Sequence, residues 1–290
     1  RVDVNGLIEK GRENVLTYSN DFSNSSWNKT SGTSFVGGQS GYDGSNDAWI
    51  FTDSGQNNEY GAYTIIAQTG VLTASIYAKA NSTNIIEIGI FQSSSIISEV
   101  SVNLSNGSIL SGGGYIDAQV QSVGGDWYRI SVTGNFSSTQ FFRFGCDGAG
   151  TILIQDSQLE SSLVATPYIE TGATTAQSGI LEALPRLDYS GGATCPSLLL
   201  EPQRSNTATQ SEYIGVWSQN NLVGTDNFAV SPEGLQNAAK ITAALTSSTH
   251  FIQLTGGSVG SLATISVFAK ADTGSYIQST NPYSGANFAN

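Results

Sequence analysis

Residues 74–80 read Ala-Ser-Ile-Tyr-Ala-Lys-Ala, and residues 265–271 read Ile-Ser-Val-Phe-Ala-Lys-Ala. In both segments apolar residues alternate with Ser, an aromatic residue and Lys. A period of two with one apolar face is typical of a half-buried β-strand, because successive side chains of a strand point to opposite faces of its sheet. The two segments therefore predict equivalent strands in two copies of one fold.

The rest of the chain repeats around these two segments. Trp27 returns as Trp217 and Asn14 as Asn206, so matched positions lie about 190 residues apart. Self-similarity at a fixed spacing indicates tandem units. We expect the second unit to be incomplete, because far fewer residues follow residue 271 than follow residue 80 in the first unit. The predicted divisions are an opening segment at 1–15, a complete unit at 16–172, a connector at 173–206 and the first part of a second unit at 207–290.

The predicted fold class is all-β, with tandem antiparallel β-sandwiches of jelly-roll type. Residues 235–245 are rich in helix formers, but their counterpart at 46–52 is not, so both are predicted as strands. Short strands separated by Gly and Asn turns are typical of sandwiches. Further alternating segments predict strands at 85–91, 96–104, 127–133, 140–145 and 151–154.

Composition and charge exclude several partners. A net charge of −12 with 11 Lys and Arg residues leaves no basic stripe for phosphate groups, so no nucleic-acid partner is expected. No apolar run approaches the roughly 18 residues of a membrane span, so membrane insertion is not expected. A chain with 12% charged residues, 33 Gly and many aromatic residues suits an extracellular or virion β-protein.

Enzymatic chemistry has few candidate residues. His250 is the single histidine, and the corresponding region of the complete unit has none. A histidine-based triad or a multi-histidine metal site is therefore excluded from that unit. The 23 carboxylates could serve a glycosidase, but no spacing singles out a pair. We expect no catalytic residues and no required cofactor.

Five motifs lie at residues 16–23, 125–130, 154–160, 165–171 and 198–206. Taken in order, they resemble a repeated module of bacteriophage tail and head fibres and other virion proteins. Such modules look like the jelly-roll carbohydrate-binding modules of secreted glycan-degrading enzymes. The resemblance implies a non-enzymatic virion protein, located outside the cell, that contacts other virion proteins and host cell-surface polysaccharide. It also implies a homo-oligomer, with a trimer favoured.

Sugar recognition requires exposed aromatic rings surrounded by polar groups. Trp49 is the first candidate, because its counterpart is Lys240 and a position that accepts lysine is expected to face solvent. Tyr60 and Tyr63, in the loop and strand that follow, are the other two carbohydrate-binding candidates. Packing of these rings on a neighbouring subunit is the structural alternative.

Other residues that often carry chemistry are expected to be structural. Trp27 and Trp217 occupy matching positions and are predicted to anchor the core of each unit. Trp127 is predicted to pack beside Arg129, which lies on the same face of its strand. Cys146 and Cys195 occupy non-equivalent positions, and both a disulfide and two free thiols remain open.

A structural calcium ion is a further implication of the resemblance, because sugar-binding relatives often join their first and last strands through a carboxylate-rich site. Here that site would use Asp21, Asp156 and Glu160, with carbonyl oxygens completing the coordination. The alternative is that Asp21 caps a turn while Asp156 and Glu160 are solvated charges at a sheet edge.

Two other functions remain open at this stage. One is a bacterial secreted or cell-surface adhesin or carbohydrate-binding module. The other is a purely structural array without a ligand, in which the aromatic residues are buried between subunits.

Overall fold

The structure is a computed structural model that describes residues 7, 10–55, 61–93, 96–138, 140–179, 186–190, 194–199, 206–208, 210–254, 264–273, 279–281 and 286–288. These residues form short strands and one 3-10 helix at Ile214–Val216. The described part of the chain holds no helix with the length and apolar character of a membrane span. The strands are β1 (Arg12–Asn14), β2 (Asn28–Lys29), β3 (Ser34–Gln39), β4 (Ala48–Asp53), β5 (Ala62–Ile66), β6 (Gly70–Ala80), β7 (Ile85–Ser93), β8 (Ile96–Asn103), β9 (Ser108–Gly113), β10 (Asp117–Gly124), β11 (Trp127–Phe136), β12 (Gln140–Cys146), β13 (Gly150–Glu160), β14 (Ala176–Ser178), β15 (Arg186–Asp188), β16 (Ser197–Leu199), β17 (Ser218–Asn220), β18 (Leu222–Ala229), β19 (Ala238–Ala243), β20 (Phe251–Gln253), β21 (Ser279–Asn281) and β22 (Ala286–Phe288).

The first unit is a sandwich of two six-stranded antiparallel sheets. The first sheet has the order β10-β11-β6-β13-β4-β3, and the second sheet has the order β2-β5-β12-β7-β8-β9. Consecutive strands often belong to different sheets, as β4, β5 and β6 do, so the chain crosses between the layers repeatedly. The predicted all-β jelly-roll fold is confirmed, as are the five strands predicted between residues 85 and 154.

The core lies between the two sheets and is rich in aromatic rings. The prediction for Trp27 is confirmed, because its ring is buried and contacts Phe22, Phe142 and Phe144. The alternation first seen in the sequence places Ile76 in this core and turns Tyr77 to the outer side of the first sheet. Apolar burial of this kind supplies most of the stabilisation of a sandwich.

The outer face of the first sheet is covered by the segment that follows β13. Arg129 donates to the carbonyl of Thr166 at 2.6 Å, and Thr133 donates to the carbonyl of Leu163 at 3.2 Å. Trp127 is buried on this face, as predicted. A ligand therefore has no access to most of the outer face of the first sheet.

The second unit repeats strand pairings of the first. β17 pairs with β20 as β2 pairs with β5, and β18 pairs with β19 as β3 pairs with β4. Both long hairpins contain a register shift, in 36–39 of the first unit and in 225–229 of the second. The strand predicted within residues 235–245 is confirmed as β19.

Turn geometry repeats as well. The N–H of Gly41 donates to the carbonyl of Ser45 at 2.9 Å, and the N–H of Ser231 donates to the carbonyl of Leu235 at 2.8 Å. Each turn also contains a glycine with positive φ, 87° at Gly44 and 79° at Gly234, a conformation that glycine adopts without a steric penalty. The same local sequence pattern thus encodes the same hairpin twice.

The matched tryptophans make equivalent hydrogen bonds. Trp27 Nε1 donates to the carbonyl of Tyr18 at 3.0 Å, and Trp217 Nε1 donates to the carbonyl of Gln210 at 3.1 Å. Tyr18 and Gln210 both have positive φ, 52° and 53°. Trp217 is half-buried, so it is less enclosed than Trp27.

The strand predicted at residues 265–271 is not formed. Residues 264–271 have no regular secondary structure, and Ile265 is 57% exposed whereas Ile76 is fully buried. In the first unit β6 pairs with β11 on one side and β13 on the other. The described residues of the second unit include no counterpart of those two strands, so the segment has no sheet to join.

Residues outside the predicted complete unit also contact it. β1 pairs with β14, which joins the opening segment to the predicted connector. β15 and β16 form a hairpin within that connector. The bounds of the predicted domains stay a prediction. Cys146 is buried and Cys195 is exposed, and both are free thiols.

Candidate functional site

The outer face of the second sheet carries aromatic and charged side chains. Phe142 and Phe144 of β12 point into the core. Because side chains alternate along a strand, Phe141 and Arg143 point outward. Ile65 on this face is 60% exposed, so the face is open to solvent along β5, whereas Phe91 of β7 is buried at 5% exposure. We name this surface the Arg143 face; it consists of Tyr63, Glu87, Phe91, Glu99, Phe141 and Arg143.

Strand register brings these residues together from four strands. Arg143 of β12 lies opposite Tyr63 of β5 on one side and Gly89 of β7 on the other. Gly89 in turn lies opposite Glu99 of β8. Directly opposed side chains on one face are about 5 Å apart, so Tyr63 and Arg143 are neighbours, and Glu99 lies on the strand beyond Gly89.

The rings and the guanidinium pack on each other. Arg143 Cζ lies 4.4 Å from the ring centroid of Phe91 and 5.3 Å from that of Phe141. Tyr63 packs on the far side of Phe141, with centroids 5.8 Å apart and planes at 81°. Both contacts are favourable, since a ring face attracts a cation and a ring edge. The rings are therefore held in fixed positions on the sheet surface.

Gly89 makes this packing possible. A Cβ at this position would lie 2.6 Å from Cε2 of Phe91, 2.9 Å from Cβ of Glu99 and 3.0 Å from the carbonyl oxygen of Ser98. The missing side chain lets the ring of Phe91 lie over the backbone of β7, where it supports Arg143.

We expect Gly89→Ala to lower the free energy of unfolding by about 1.5 kcal/mol, because the added methyl group overpacks a filled position. Urea unfolding of the full chain measures this. Gly113→Ala, at a glycine with no heavy atom within 4 Å of the added Cβ, is the matched control and should change stability much less. Equal effects of the two substitutions would contradict the role assigned to Gly89.

Two carboxylates lie on the same face. Glu87 of β7 is paired with Ser101, and Glu99 of β8 is paired with Gly89, so the two glutamates are diagonal neighbours. Partial burial raises the pKa of Glu87, and the negative charges of Asp147, Glu99 and Asp53 raise it further. The face thus combines rings, one stacked cation and mutually repelling carboxylates.

No family model matches the chain, and no curated protein matches it significantly. Among solved structures, the chain is similar to the CBM22-1 and GH10 modules of Clostridium thermocellum endo-1,4-β-D-xylanase 10B complexed with xylohexaose, at 11% identity and a TM-score of 0.33, over 56% of this chain and 30% of that one. It is also similar to the enzymatically active domain of tailspike protein 4 of bacteriophage CBA120, at 14% identity and a TM-score of 0.30, over 50% of this chain and 21% of that one. A third similarity is to the CBM22-1 xylan-binding domain of Paenibacillus barcinonensis Xyn10C, at 10% identity and a TM-score of 0.32, over 55% of this chain and 97% of that one. Similarity at this level identifies no family.

Trp49 is not the solvent-facing ring that the sequence predicted. It is half-buried at the margin of the core, where its Nε1 donates to the carbonyl of Asn20 at 2.8 Å and its ring lies edge-on to Phe22. Its counterpart Lys240 lies 4.7 Å from the ring centroid of Phe228 and forms an ion pair with Asp272.

Tyr63 lies on the Arg143 face, and Tyr60 lies outside the described residues. The structure therefore does not bring Trp49 and Tyr63 to one surface, because Trp49 belongs to the core side of the first sheet. Carbohydrate binding by Tyr63 stays a prediction, now in the company of Phe141 and Arg143.

The three carboxylates predicted to bind calcium each have protein partners. Asp21 accepts hydrogen bonds from the N–H and the hydroxyl of Ser23, which is the turn-capping alternative. Glu160 is buried and accepts from the N–H of Thr166 at 2.8 Å and from its hydroxyl at 2.7 Å, so it is not a solvated edge charge. Within the described ranges, no group of three or more His, Cys, Asp or Glu side chains is arranged to hold a metal ion. Calcium binding stays a prediction without support from this geometry.

Asp156 is a buried carboxyl group with a raised pKa. It lies in the irregular part of β13 with a φ of 52° and is 5% exposed. Tyr42 donates its hydroxyl to Asp156 Oδ2 at 2.9 Å, and the Asp156 N–H donates to Asn20 Oδ1 at 3.1 Å. Burial raises the pKa of Asp156 to about 7, with Asp47, Asp43 and Glu170 adding repulsion and the Tyr42 hydrogen bond opposing the shift.

Sequence reasoning missed Phe141, Arg143, Phe91 and both glutamates of the Arg143 face. The signal for Phe141 and Arg143 was available, because residues 141–144 read Phe-Phe-Arg-Phe and a strand must turn alternate members outward. Which strands lie beside β12 is set by the sheet order, and the sequence does not give that order.

Proposed function

We propose that this protein binds carbohydrate without catalysis, through the Arg143 face of its complete β-sandwich. The supporting observation is the open row of Tyr63, Phe141 and Arg143 with Glu99 beside it. Ring faces suit the apolar sides of a sugar ring, while carboxylate and guanidinium groups suit its hydroxyls. The outer face of the other sheet is largely covered, which leaves the Arg143 face as the better surface for an extended ligand.

We further propose that the protein is a virion fibre or decoration protein of a bacteriophage, displayed in several copies toward host surface polysaccharide. Support comes from the ordered motifs in the sequence and from the second unit, which repeats the hairpins of the first. Multiple weak sites on one particle raise the effective concentration of each, so a shallow face can still hold a host cell.

A purely structural array is the second candidate. Large apolar side chains of the second unit are exposed, among them Val230 at 67% and Phe268 at 73%. Exposed apolar surface of this kind is typical of contacts with other protein chains. Both functions can coexist, since the apolar residues lie in the second unit and the Arg143 face lies in the first.

Affinity electrophoresis of the full chain through gels containing neutral polysaccharides tests the proposal. We expect retardation of the wild type by at least one polymer, and about tenfold weaker retardation of Tyr63→Ala and Phe141→Ala, corresponding to the loss of roughly 1.4 kcal/mol of ring contact. Val36→Ala, which shortens a 54% exposed residue on β3 of the other sheet, is the control and should behave as wild type.

Three results would contradict parts of the proposal. Retardation by no polymer would leave the structural array as the function. Equal loss in Val36→Ala would place binding elsewhere. Release of reducing ends from a retained polymer would contradict the non-enzymatic part of the proposal.

A further inference from the structure

We infer that the Arg143 face selects uncharged glycans and rejects polysaccharides that carry acidic sugars. The inference rests on the proposed function, because it names the class of ligand that the same face would take. It follows from the placement of charges on that face.

The carboxylates are central to the face. Glu99 lies opposite Gly89, which itself lies opposite Arg143, so a ligand that covers the row of rings also covers Glu99. Glu87 lies on the same face of β7, two residues before Gly89 in the chain. An acidic sugar on this row would therefore lie close to two carboxylates.

Arg143 can offset only part of this repulsion, because it is one cation beside two carboxylates. Its guanidinium lies 4.4 Å from the ring centroid of Phe91 and 5.3 Å from that of Phe141. A guanidinium packed among rings presents its edge to a ligand and keeps its position, which suits a directed hydrogen bond to a sugar hydroxyl. One cation beside two carboxylates leaves the face with a net negative charge.

Neighbouring acids strengthen the effect. Asp147 and Asp53 add negative charge near Glu87. Like charges brought together at a partly desolvated surface oppose binding strongly. Binding sites can therefore exclude a competing ligand by charge repulsion. Hydroxyl groups of a neutral sugar, in contrast, can donate hydrogen bonds to carboxylates.

Matched polymers test this inference. Galactomannan and mixed-linkage β-glucan would each be used in native form and after oxidation of C6 to the carboxylate, which adds charge to the same chain. We expect native polymer to retard the full-length wild type and the oxidised form to bind at least tenfold more weakly. The double variant Glu87→Gln/Glu99→Gln should recover most of the binding to oxidised polymer.

The net charge of −12 also repels any polyanion, wherever the charges lie. A control variant distinguishes this general repulsion from repulsion by the two glutamates of the face. The double variant Asp126→Asn/Asp272→Asn changes the net charge by the same amount at exposed positions away from the face, with side chains 89% and 65% exposed. It should not recover binding to oxidised polymer.

The outcomes distinguish the two proposals. If oxidised polymer retards the wild type at least as well as native polymer, and Tyr63→Ala removes that retardation, the face binds glycans but the inference is wrong. A loss on oxidation that the glutamine variant does not recover, or that the control variant recovers equally, also overturns it. Retardation by neither form overturns the proposed function, and the inference with it.

Discussion

Phe144→Ala lowers the free energy of unfolding by about 4 kcal/mol, the expected cost of removing a fully buried ring from a packed core. Phe144 is fully buried between the sheets. Its ring centroid lies 5.4 Å from that of Phe51, 5.5 Å from that of Trp27 and 5.7 Å from that of Phe22. Alanine would leave a cavity that these rings, fixed by their own neighbours, can fill only in part.

Urea unfolding of the full chain, followed by tryptophan fluorescence, measures the loss, because Trp27 is a direct neighbour. Phe141→Ala is the matched control on the same strand, and it should cost about 1 kcal/mol, since its ring is half-buried on the outer face. Phe144→Leu, with an expected cost near 1.5 kcal/mol, keeps the test usable if the alanine variant does not fold. Equal costs for Phe144→Ala and Phe141→Ala would contradict the assigned inward and outward directions of β12.

The fold class could be predicted from the sequence because alternation and repetition both survive in the structure. Segment 73–79 is a strand whose inward members are those that the alternation indicated. The match between Trp27 and Trp217 reflects the same hydrogen bond to a backbone carbonyl with the same preceding turn. Local patterns of this kind encode local structure, so two copies fold alike wherever their partners are also local.

Prediction failed where a segment depends on distant partners. Residues 265–271 have the same alternation as 74–80, yet they are not a strand, because a central strand needs a neighbour on each side. Alternation specifies which side chains share a face. It does not supply the sheet in which that face is buried.

The expected exposure of Trp49 is not found, for a related reason, and its carbohydrate-binding role stays a prediction. Lys240 occupies this position in the second unit, but Trp49 packs against the aromatic core of the first unit whereas half-buried Lys240 lies over the ring of Phe228. A residue difference between matched positions of two repeats indicates solvent exposure only when the neighbouring residues are the same. The neighbours of Trp49 and Lys240 differ.

The Arg143 face depends on sheet order, which explains why most of it was not predicted. Tyr63, Arg143 and Glu99 are separated by 36 or more residues in sequence. They meet because β12 lies between β5 and β7, and β7 lies beside β8. Each residue alone is an ordinary outward member of a strand, so no local pattern marks the group.

The stability of the first unit is expected to fall as pH rises from about 4 to 7, through ionisation of Asp156. Burial raises its pKa in the folded state from 3.8 to about 7, so the folded protein holds this proton over a range in which the unfolded chain has released it. The stabilisation by the protonated group is complete below pH 3.8, declines as pH rises and is lost above pH 7. Asp156→Asn keeps an acceptor for Tyr42 and carries no charge, so it should be more stable than wild type by about 2 kcal/mol at pH 8 and nearly equal to it at pH 4.

Urea unfolding at a series of pH values between 4 and 8 gives the wild-type profile and the difference from the variant. The difference isolates Asp156, because other titrating groups contribute to both profiles. Asp126→Asn, at a side chain that is 89% exposed, should retain the wild-type slope. Ionised Asp156 repels Asp43 and Asp47 of residues 40–47, whereas the hydrogen bond that Tyr42 donates to Asp156 favours the ionised form and opposes part of this repulsion. A difference between Asp156→Asn and wild type that does not grow with pH would show that Asp156 is ionised in the folded protein throughout this range.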